Sequence, residues 1–207
     1  KKQEKVNIRP NVSMLSVLKF LEYETWYALA EFVDNSLASY LDYEKELKLV
    51  DGKKYQLEVK IEINEAENRI VIRDNAAGIH AKDYSRAFRA AEVPPDTTGL
   101  SEFGMGMKSA SCWFSDEWSV RTTALGEGVE KTIRFDMKKI FEDKIEELDV
   151  AQRACDKNHH YTIIELYKVN KIPRKRNLGK VRAHLASIYR DFIRQGLLKL
   201  SVDNEVL

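Results

Sequence analysis

The sequence of 207 residues has little of several features that define special classes of protein. It holds only two cysteines, Cys112 and Cys155, which are too few for a disulfide scaffold and lack the spacing of a metal site. No apolar run approaches the roughly 20 residues of a membrane span, and the opening KKQEKVNIRP lacks the apolar core of a signal peptide. With 34 basic and 33 acidic residues the net charge is +1, which favours neither nucleic acid nor an acidic partner. These absences predict a cytoplasmic protein with reduced thiols and no membrane contact, or a nuclear one in a eukaryote.

What the sequence does contain is an ordinary globular composition, 43% hydrophobic and 32% charged, with a change from helical to strand patterns. From Ser13 to about Glu46 apolar residues recur every fourth position, which predicts a helical region: Leu29, Val33, Leu37 and Leu41. The strict alternation of YQLEVKIEI, from Tyr55 to Ile63, predicts a half-buried strand. RIVIRD, ending at Asp74, completes an antiparallel hairpin with it.

The second half of the chain is richer in strands. EWSVRTTAL and VEKTIRFD, joined by GEG, predict a second hairpin, and HYTIIELYKV predicts a further strand. KVRAHLASIYRDFIRQG predicts a helix that Gly196 ends, and LLKLSVDNEVL predicts a strand that runs to the final residue. We therefore expect a piece of a longer protein, in which residues 1–170 form one domain and residues 171–207 start a downstream one. Helices followed by antiparallel strands predict an α+β sandwich.

Three short stretches suggest chemistry, and the first is GLSEFGMGMKSAS, from Gly99 to Ser111. Glycine lets backbone N–H groups approach a ligand closely. A helix that starts near Gly106 favours an anion at its N-terminus, and Lys108 adds a charge-assisted contact. We interpret the stretch as a phosphate site; the alternative is a flexible turn before a core helix. Neither a P-loop nor a Rossmann motif is present, so any phosphate is held in another fold.

The second stretch is AEFVDNSLAS, in which Glu31 and Asn35 are four residues apart and share one face of a helix. Because burying an unpaired carboxylate is costly, the presence of Glu31 in an apolar helix needs an explanation. One interpretation is a carboxylate that deprotonates a water molecule, beside an amide oxygen that binds Mg²⁺. The alternative is a solvated Glu and Asn on the outer face of the helix.

The third stretch is IRDNAAGI, where Asp74 ends a strand and Gly78 permits a sharp turn. A carboxylate in this position can accept a hydrogen bond from an exocyclic amine such as that of adenine. Taken alone, the segment fits an ordinary strand–turn with an Asx cap equally well or better.

Taken in order, E-x-x-D-N on a helix, D-N-x-x-G after a hairpin and F-G-x-G-x-K-S opening a helix resemble the GHKL ATP-binding superfamily. Its members include the gyrase B subunit, the ninety-kilodalton heat-shock chaperones, MutL, sensor histidine kinases and the MORC ATPases. The resemblance covers roughly Asn11 to Leu166. It implies the Bergerat fold, a two-layer sandwich with a mixed or antiparallel sheet backed by helices, in which ATP is held between helices and a flexible lid, here residues 80–103. FGMGMKSAS is most similar to MORC-like proteins and their bacterial relatives. The chain departs from the family pattern at Ala76, where glycine is usual, and at Ala38 and Ser39, where Asp-Ala is usual.

The resemblance also implies roles for individual residues. Glu31 is expected to be the general base and Asn35 the Mg²⁺ ligand, while Asp74 binds the adenine amino group in a pocket lined by Gly78 and Ile79. Thr162 resembles a strand threonine that supports the adenine-binding aspartate. The glycine-rich stretch is expected to supply the phosphate contacts, through Gly104, Gly106 and Lys108. The full set of cofactor-binding residues expected from this stretch is Phe103, Gly104, Met105, Gly106, Met107 and Lys108.

The function implied is Mg²⁺-dependent binding and hydrolysis of ATP, with lid closure coupled to dimerisation or to the handling of a client. A nucleotide-binding switch without catalysis is the alternative. A sensor-type protein kinase is less favoured, because such kinases typically lack the general base at Glu31. The implied partners are ATP and, in the full-length protein, a second copy of the chain. The basic stretch from Lys171 to Arg182 could touch DNA, although a solvated helix start is the favoured interpretation.

Overall fold

A computed structural model of the chain describes residues 18, 20, 22–88 and 106–207. The strands are β1 (Leu57–Asn64), β2 (Arg69–Asp74), β3 (Glu117–Thr123), β4 (Val129–Asp136), β5 (Val150–Ala154), β6 (Tyr161–Tyr167), β7 (Leu198–Val202) and β8 (Glu205–Val206). The helices are α1 (Thr25–Asp42), α2 (Glu44–Val50), α3 (Tyr84–Phe88), α4 (Gly106–Phe114), α5 (Met137–Glu142), α6 (Lys175–Ile188) and α7 (Arg190–Arg194). All eight strands lie in one sheet, in the order β5-β4-β3-β6-β2-β1-β7-β8.

The sheet is mixed, and its core is built from two hairpins. Strands β1 and β2 pair antiparallel, as do β3 and β4, so both predicted hairpins are confirmed. Strand β6 lies between the hairpins and pairs antiparallel with β2 and β3. Its register places Thr162 beside both Asp74 and Thr122, which brings three polar side chains into one row. The predicted α+β sandwich with a mixed sheet backed by helices is confirmed.

The hydrophobic core lies between the sheet and helix α1. Along β1 the residues Leu57, Val59 and Ile61 are buried, and the polar residues between them face the other side of the sheet. Helix α1 packs against α4 and α6 through its buried residues, which include Leu29, Val33 and Leu37. Burial of each such side chain stabilises the fold by about 1.5–3 kcal/mol relative to exposure. At 100° per residue, the partly exposed Glu31 and Asn35 then form a separate polar stripe along the helix.

The structure corrects the predicted division of the chain. Strand β7 pairs parallel with β1, and Leu198, Leu200 and Val202 join the same core. A parallel pair needs a long crossover connection, usually helical, and α6 with α7 precedes β7 in that position. The prediction that residues 171–207 start a separate domain is therefore wrong, since the described part of that segment completes the sheet.

Smaller differences concern element boundaries. The predicted helical region breaks at Tyr43 and continues as α2 to Val50, and the predicted C-terminal helix breaks at Tyr189. Helix α5 and the edge strand β5 were not predicted. Strand β5 is short and exposed, so it has little of the apolar alternation by which a strand is recognised.

Candidate functional site

A cavity of about 440 Å³ opens between α1, the turn after β2 and the start of α4. Its volume lies in the range of about 300–1,000 Å³ that is usual for small-molecule sites. The predicted residues that line it come from all three sequence motifs and from β6: Glu31, Asn35, Asp74, Gly78, Ile79, Gly106, Met107 and Thr162. A larger cavity of about 690 Å³ lies near α5 and collects none of these residues. The cavity beside α1 is therefore the candidate site.

Asp74 is held at the end of β2 by three hydrogen-bond donors. Its Oδ1 accepts from the backbone N–H of Ala76 at 3.0 Å and of Thr162 at 3.3 Å, and Ser36 Oγ donates to Oδ2 at 2.9 Å. Burial raises the pKa of Asp74 to about 6, although these donors act in the opposite direction. The carboxylate is thus fixed in place and poorly hydrated, which favours an added donor such as an amine.

The turn after Asp74 requires glycine at one position. Gly78 has φ of +76°, and a Cβ there would lie 2.0 Å from the carbonyl oxygen of Thr123. The next N–H, of Ile79, donates to Thr122 Oγ1 at 2.9 Å, and that hydroxyl lies 3.2 Å from Thr162 Oγ1. Thr162 therefore supports the aspartate through its backbone N–H, while its hydroxyl joins the network that holds the turn.

Glu31 lies against the first residue of helix α4. A Cβ on Gly106 would lie 2.1 Å from Glu31 Oε2, so the carboxylate reaches this place only because residue 106 is glycine. Burial and the neighbouring charge of Asp34 raise the pKa of Glu31, and a hydrogen bond from Tyr27 opposes this shift. A carboxylate with a raised pKa is a stronger base, which suits proton abstraction from water.

Asn35 has the chemistry expected of a magnesium ligand. Its Nδ2 donates to the carbonyl oxygen of Glu31 at 2.5 Å, so the amide oxygen is the atom suited to a cation. Among residues 22–88 and 106–207 there is no cluster of three or more His, Cys, Asp or Glu side chains that could bind a metal by itself. Mg²⁺ usually takes one or two protein ligands and fills its shell with water and phosphate oxygens, so one amide oxygen can be its protein ligand.

Lys108 is the predicted site residue that the structure does not bring to the cavity. Its side chain is 1% exposed and does not line the cavity, although the neighbouring Met107 and Ser109 do. The predicted phosphate contacts of Phe103, Gly104 and Met105 lie outside the described residues, as does most of the predicted lid. Only its first part, residues 80–88, is described, as a turn of 3₁₀ helix followed by α3.

Several residues at the site carried no recognisable sequence signal. Ser36, which directly follows the E-x-x-D-N motif, contacts Asp74 from α1, a contact that only the docking of helix and strand reveals. His160 contacts the turn that follows Asp74: its Nδ1 lies 2.9 Å from the Asn75 carbonyl oxygen, and its Nε2 lies 3.0 Å from Asp51 Oδ2. Such contacts across 85 and 109 residues follow from the tertiary structure alone.

The carboxylates of Asp74 and Glu31 and the amide of Asn35 thus line one cavity of an α+β sandwich. The comparison with protein families identifies the class of protein to which this domain belongs. Residues 23–162, about two thirds of the chain, match the family described as histidine kinase-, DNA gyrase B- and HSP90-like ATPase. The chain belongs to this GHKL ATPase family, which confirms the resemblance; the closer likeness to MORC proteins stays a prediction.

Solved structures support the same fold. The ATPase region of Saccharomyces cerevisiae topoisomerase II is similar with a TM-score of 0.61 at 15% identity, and its complex with ICRF-187 (dexrazoxane) gives the same values. Each match covers 88% of this chain and 48% of the yeast chain, so the present chain spans about half the length of these relatives. The comparison with curated proteins found no match. None of the helices in the described ranges is both long and apolar enough to cross a bilayer.

Proposed function

We propose that this chain is a magnesium-dependent ATPase module. One observation carries the proposal: two carboxylates line the same cavity, Asp74 held by three hydrogen-bond donors and Glu31 with a raised pKa beside the start of α4. The first suits the adenine amino group and the second suits a general base. A site that only bound nucleotide would need the first group and not the second. ATP hydrolysis needs both, because a base must act on the attacking water at the far end of the nucleotide.

Each residue has a distinct task. Asp74 accepts a hydrogen bond from the adenine amino group, and the turn at Gly78 forms the wall of that pocket. Asn35 holds Mg²⁺, which when bound shields the phosphate charges. Glu31 orients the attacking water and takes its proton. In the full-length protein we further propose that closure of the lid over ATP is coupled to pairing of two chains, a step that family resemblance alone supports.

The proposal does not extend to DNA. In the basic stretch that suggested such contact, Arg182 donates to the carbonyl oxygen of Val202 at 3.1 Å and pairs with Glu205 at 2.6 Å. Lys171 Nζ lies 4.1 Å from the ring centroid of Trp113. Two cationic side chains of the basic stretch, Arg182 and Lys171, thus have partners within the domain.

The decisive experiment compares Glu31→Ala with Asn35→Ala. Glu31→Ala is expected to abolish hydrolysis and leave ATP affinity nearly unchanged, because a general base acts mainly in the transition state. Asn35→Ala is expected to weaken both binding and turnover, because a Mg²⁺ ion held by Asn35 would offset phosphate charge in the ground state and in the transition state. Turnover is measured by phosphate release and affinity by calorimetry, with Glu46→Ala on the exposed side of α2 as control.

Two outcomes would contradict the proposal in different ways. Wild-type turnover in Glu31→Ala would show that Glu31 is not the base. Tight ATP binding by the wild type without any turnover, also in the longer protein, would favour the alternative of a nucleotide-dependent switch.

A further inference from the structure

Tyr189 is a buried side chain that reaches the site helix from the opposite end of the chain. It lies at the junction of α6 and α7 and is 2% exposed. Its hydroxyl lies 2.9 Å from the carbonyl oxygen of Ala30 and 2.8 Å from Asp34 Oδ1. Both acceptors belong to α1, 159 and 155 residues away in sequence.

These two contacts span one turn of helix α1. Ala30 and Asp34 are four residues apart, so one hydroxyl joins the beginning of the turn to its end. Glu31 is the first residue inside that turn, and its carboxylate packs against Gly106 on the other side. The α1 turn that carries the proposed base is therefore held on one side by the Tyr189 hydroxyl and packed on the other side against α4.

Further contacts between α6 and α1 hold Tyr189 in this position. Helix α6 packs along α1 through Val181 and Leu185, which are 1% and 0% exposed. Near the start of α1, Trp26 stacks on His184 with 4.7 Å between ring centroids and 17° between planes. Tyr189 also lies outside residues 23–162, the part of the chain that matches the ATPase family.

We propose that Tyr189 is a positioning residue for hydrolysis, which holds the α1 turn so that Glu31 stays within reach of the attacking water. This inference rests on the proposed ATPase function. Tyr189 does not line the nucleotide cavity, so it acts through Ala30 and Asp34 and not on the nucleotide. Because a shift of about 1 Å in a catalytic group can lower a rate by about 100-fold, a small relaxation of this turn is enough to affect turnover.

Tyr189→Phe tests the proposal, because it removes the hydroxyl and keeps the ring. We expect kcat to fall by about 10- to 100-fold while the Kd for ATP stays within about twofold. The control is Tyr40→Phe, which removes another hydroxyl from a buried tyrosine of α1, one whose partner is Glu44 on α2. Each rate is divided by the measured ATP-binding stoichiometry, so that kcat refers only to folded chains that bind ATP.

A double variant separates positioning from general support of the fold. The background for this test is Glu31→Asp, which keeps a carboxylate and is expected to keep a low but measurable rate. If Tyr189 acts through Glu31, adding Tyr189→Phe to Glu31→Asp should lower that rate by less than Tyr189→Phe lowers the wild-type rate. Multiplicative effects, an unchanged kcat in the single variant, or parallel losses of kcat and affinity would each overturn the proposal. Absence of wild-type turnover would instead refute the ATPase function itself, and the positioning role with it.

Discussion

The substitution Asp74→Asn tests the nucleotide site most directly, because it separates ATP affinity from stability. The amide oxygen can take the place of Oδ1 and keep the N–H bonds from Ala76 and Thr162. The amide nitrogen then faces Ser36 Oγ, which can accept from it while donating to the carbonyl oxygen of Phe32 at 3.0 Å. The apo fold thus tolerates the change, whereas an adenine amino group would meet a donor in place of an acceptor.

The expected loss of affinity follows from one missing charge-assisted hydrogen bond, about 1.5–3 kcal/mol, or about a 10- to 150-fold rise in Kd. The effect on stability has the opposite sign. The pKa of Asp74 is about 6 in the folded protein against 3.8 ordinarily. Between these values the unfolded chain is ionised and the folded carboxyl is protonated, so the free energy of unfolding falls as pH rises through this window. Over the whole window the free energy of unfolding falls by about 3 kcal/mol. Above pH 7, Asp74→Asn should be more stable than the wild type by about this amount.

Calorimetry with ATP and Mg²⁺ measures the affinity, and urea unfolding below and above the window measures the stability. The control is Asp143→Asn, an exposed carboxylate at the end of α5. Unchanged ATP affinity would refute Asp74 as the adenine anchor. Loss of affinity together with loss of stability would mean that the carboxylate holds the fold and not the nucleotide.

Two glycine substitutions, each with a glycine control, test the geometry around the site. Gly106→Ala places a Cβ 2.1 Å from Glu31 Oε2, so the flexible carboxylate must move away. Phosphate-release assays should therefore show a large loss of turnover, with little loss of stability. The control Gly179→Ala has open space around its Cβ and should keep its turnover. If Gly106→Ala keeps wild-type turnover, Glu31 does not act from the place seen here. Gly78→Ala combines a φ of +76° with a contact of 2.0 Å to rigid backbone, and urea unfolding should show a loss above about 2 kcal/mol. Gly126→Ala has a similar φ of +87° and no neighbour within 4 Å, so an equal loss there would mean that the contact with Thr123 contributes nothing.

The sequence by itself determined the class of fold and the local placement of the candidate site residues on helix and strand. Alternation in YQLEVKIEI and RIVIRD predicted β1 and β2 because a half-buried strand must present apolar residues at every second position. The spacing of Glu31 and Asn35 predicted that they share a helical face, since 3.6 residues complete a turn. These are local rules, and each can be read within one short segment.

The tertiary structure alone decided what depends on contacts between distant segments. That β7 joins β1 in the sheet, and that Ser36 reaches Asp74, depends on how elements dock, which periodicity does not encode. The burial of Lys108 has the same origin: its charge suggested a phosphate contact, whereas its side chain is 1% exposed in the folded chain. The hydroxyl of Tyr189 meets the turn of Glu31 across more than 150 residues, because α6 crosses back over α1 before β7 enters the sheet.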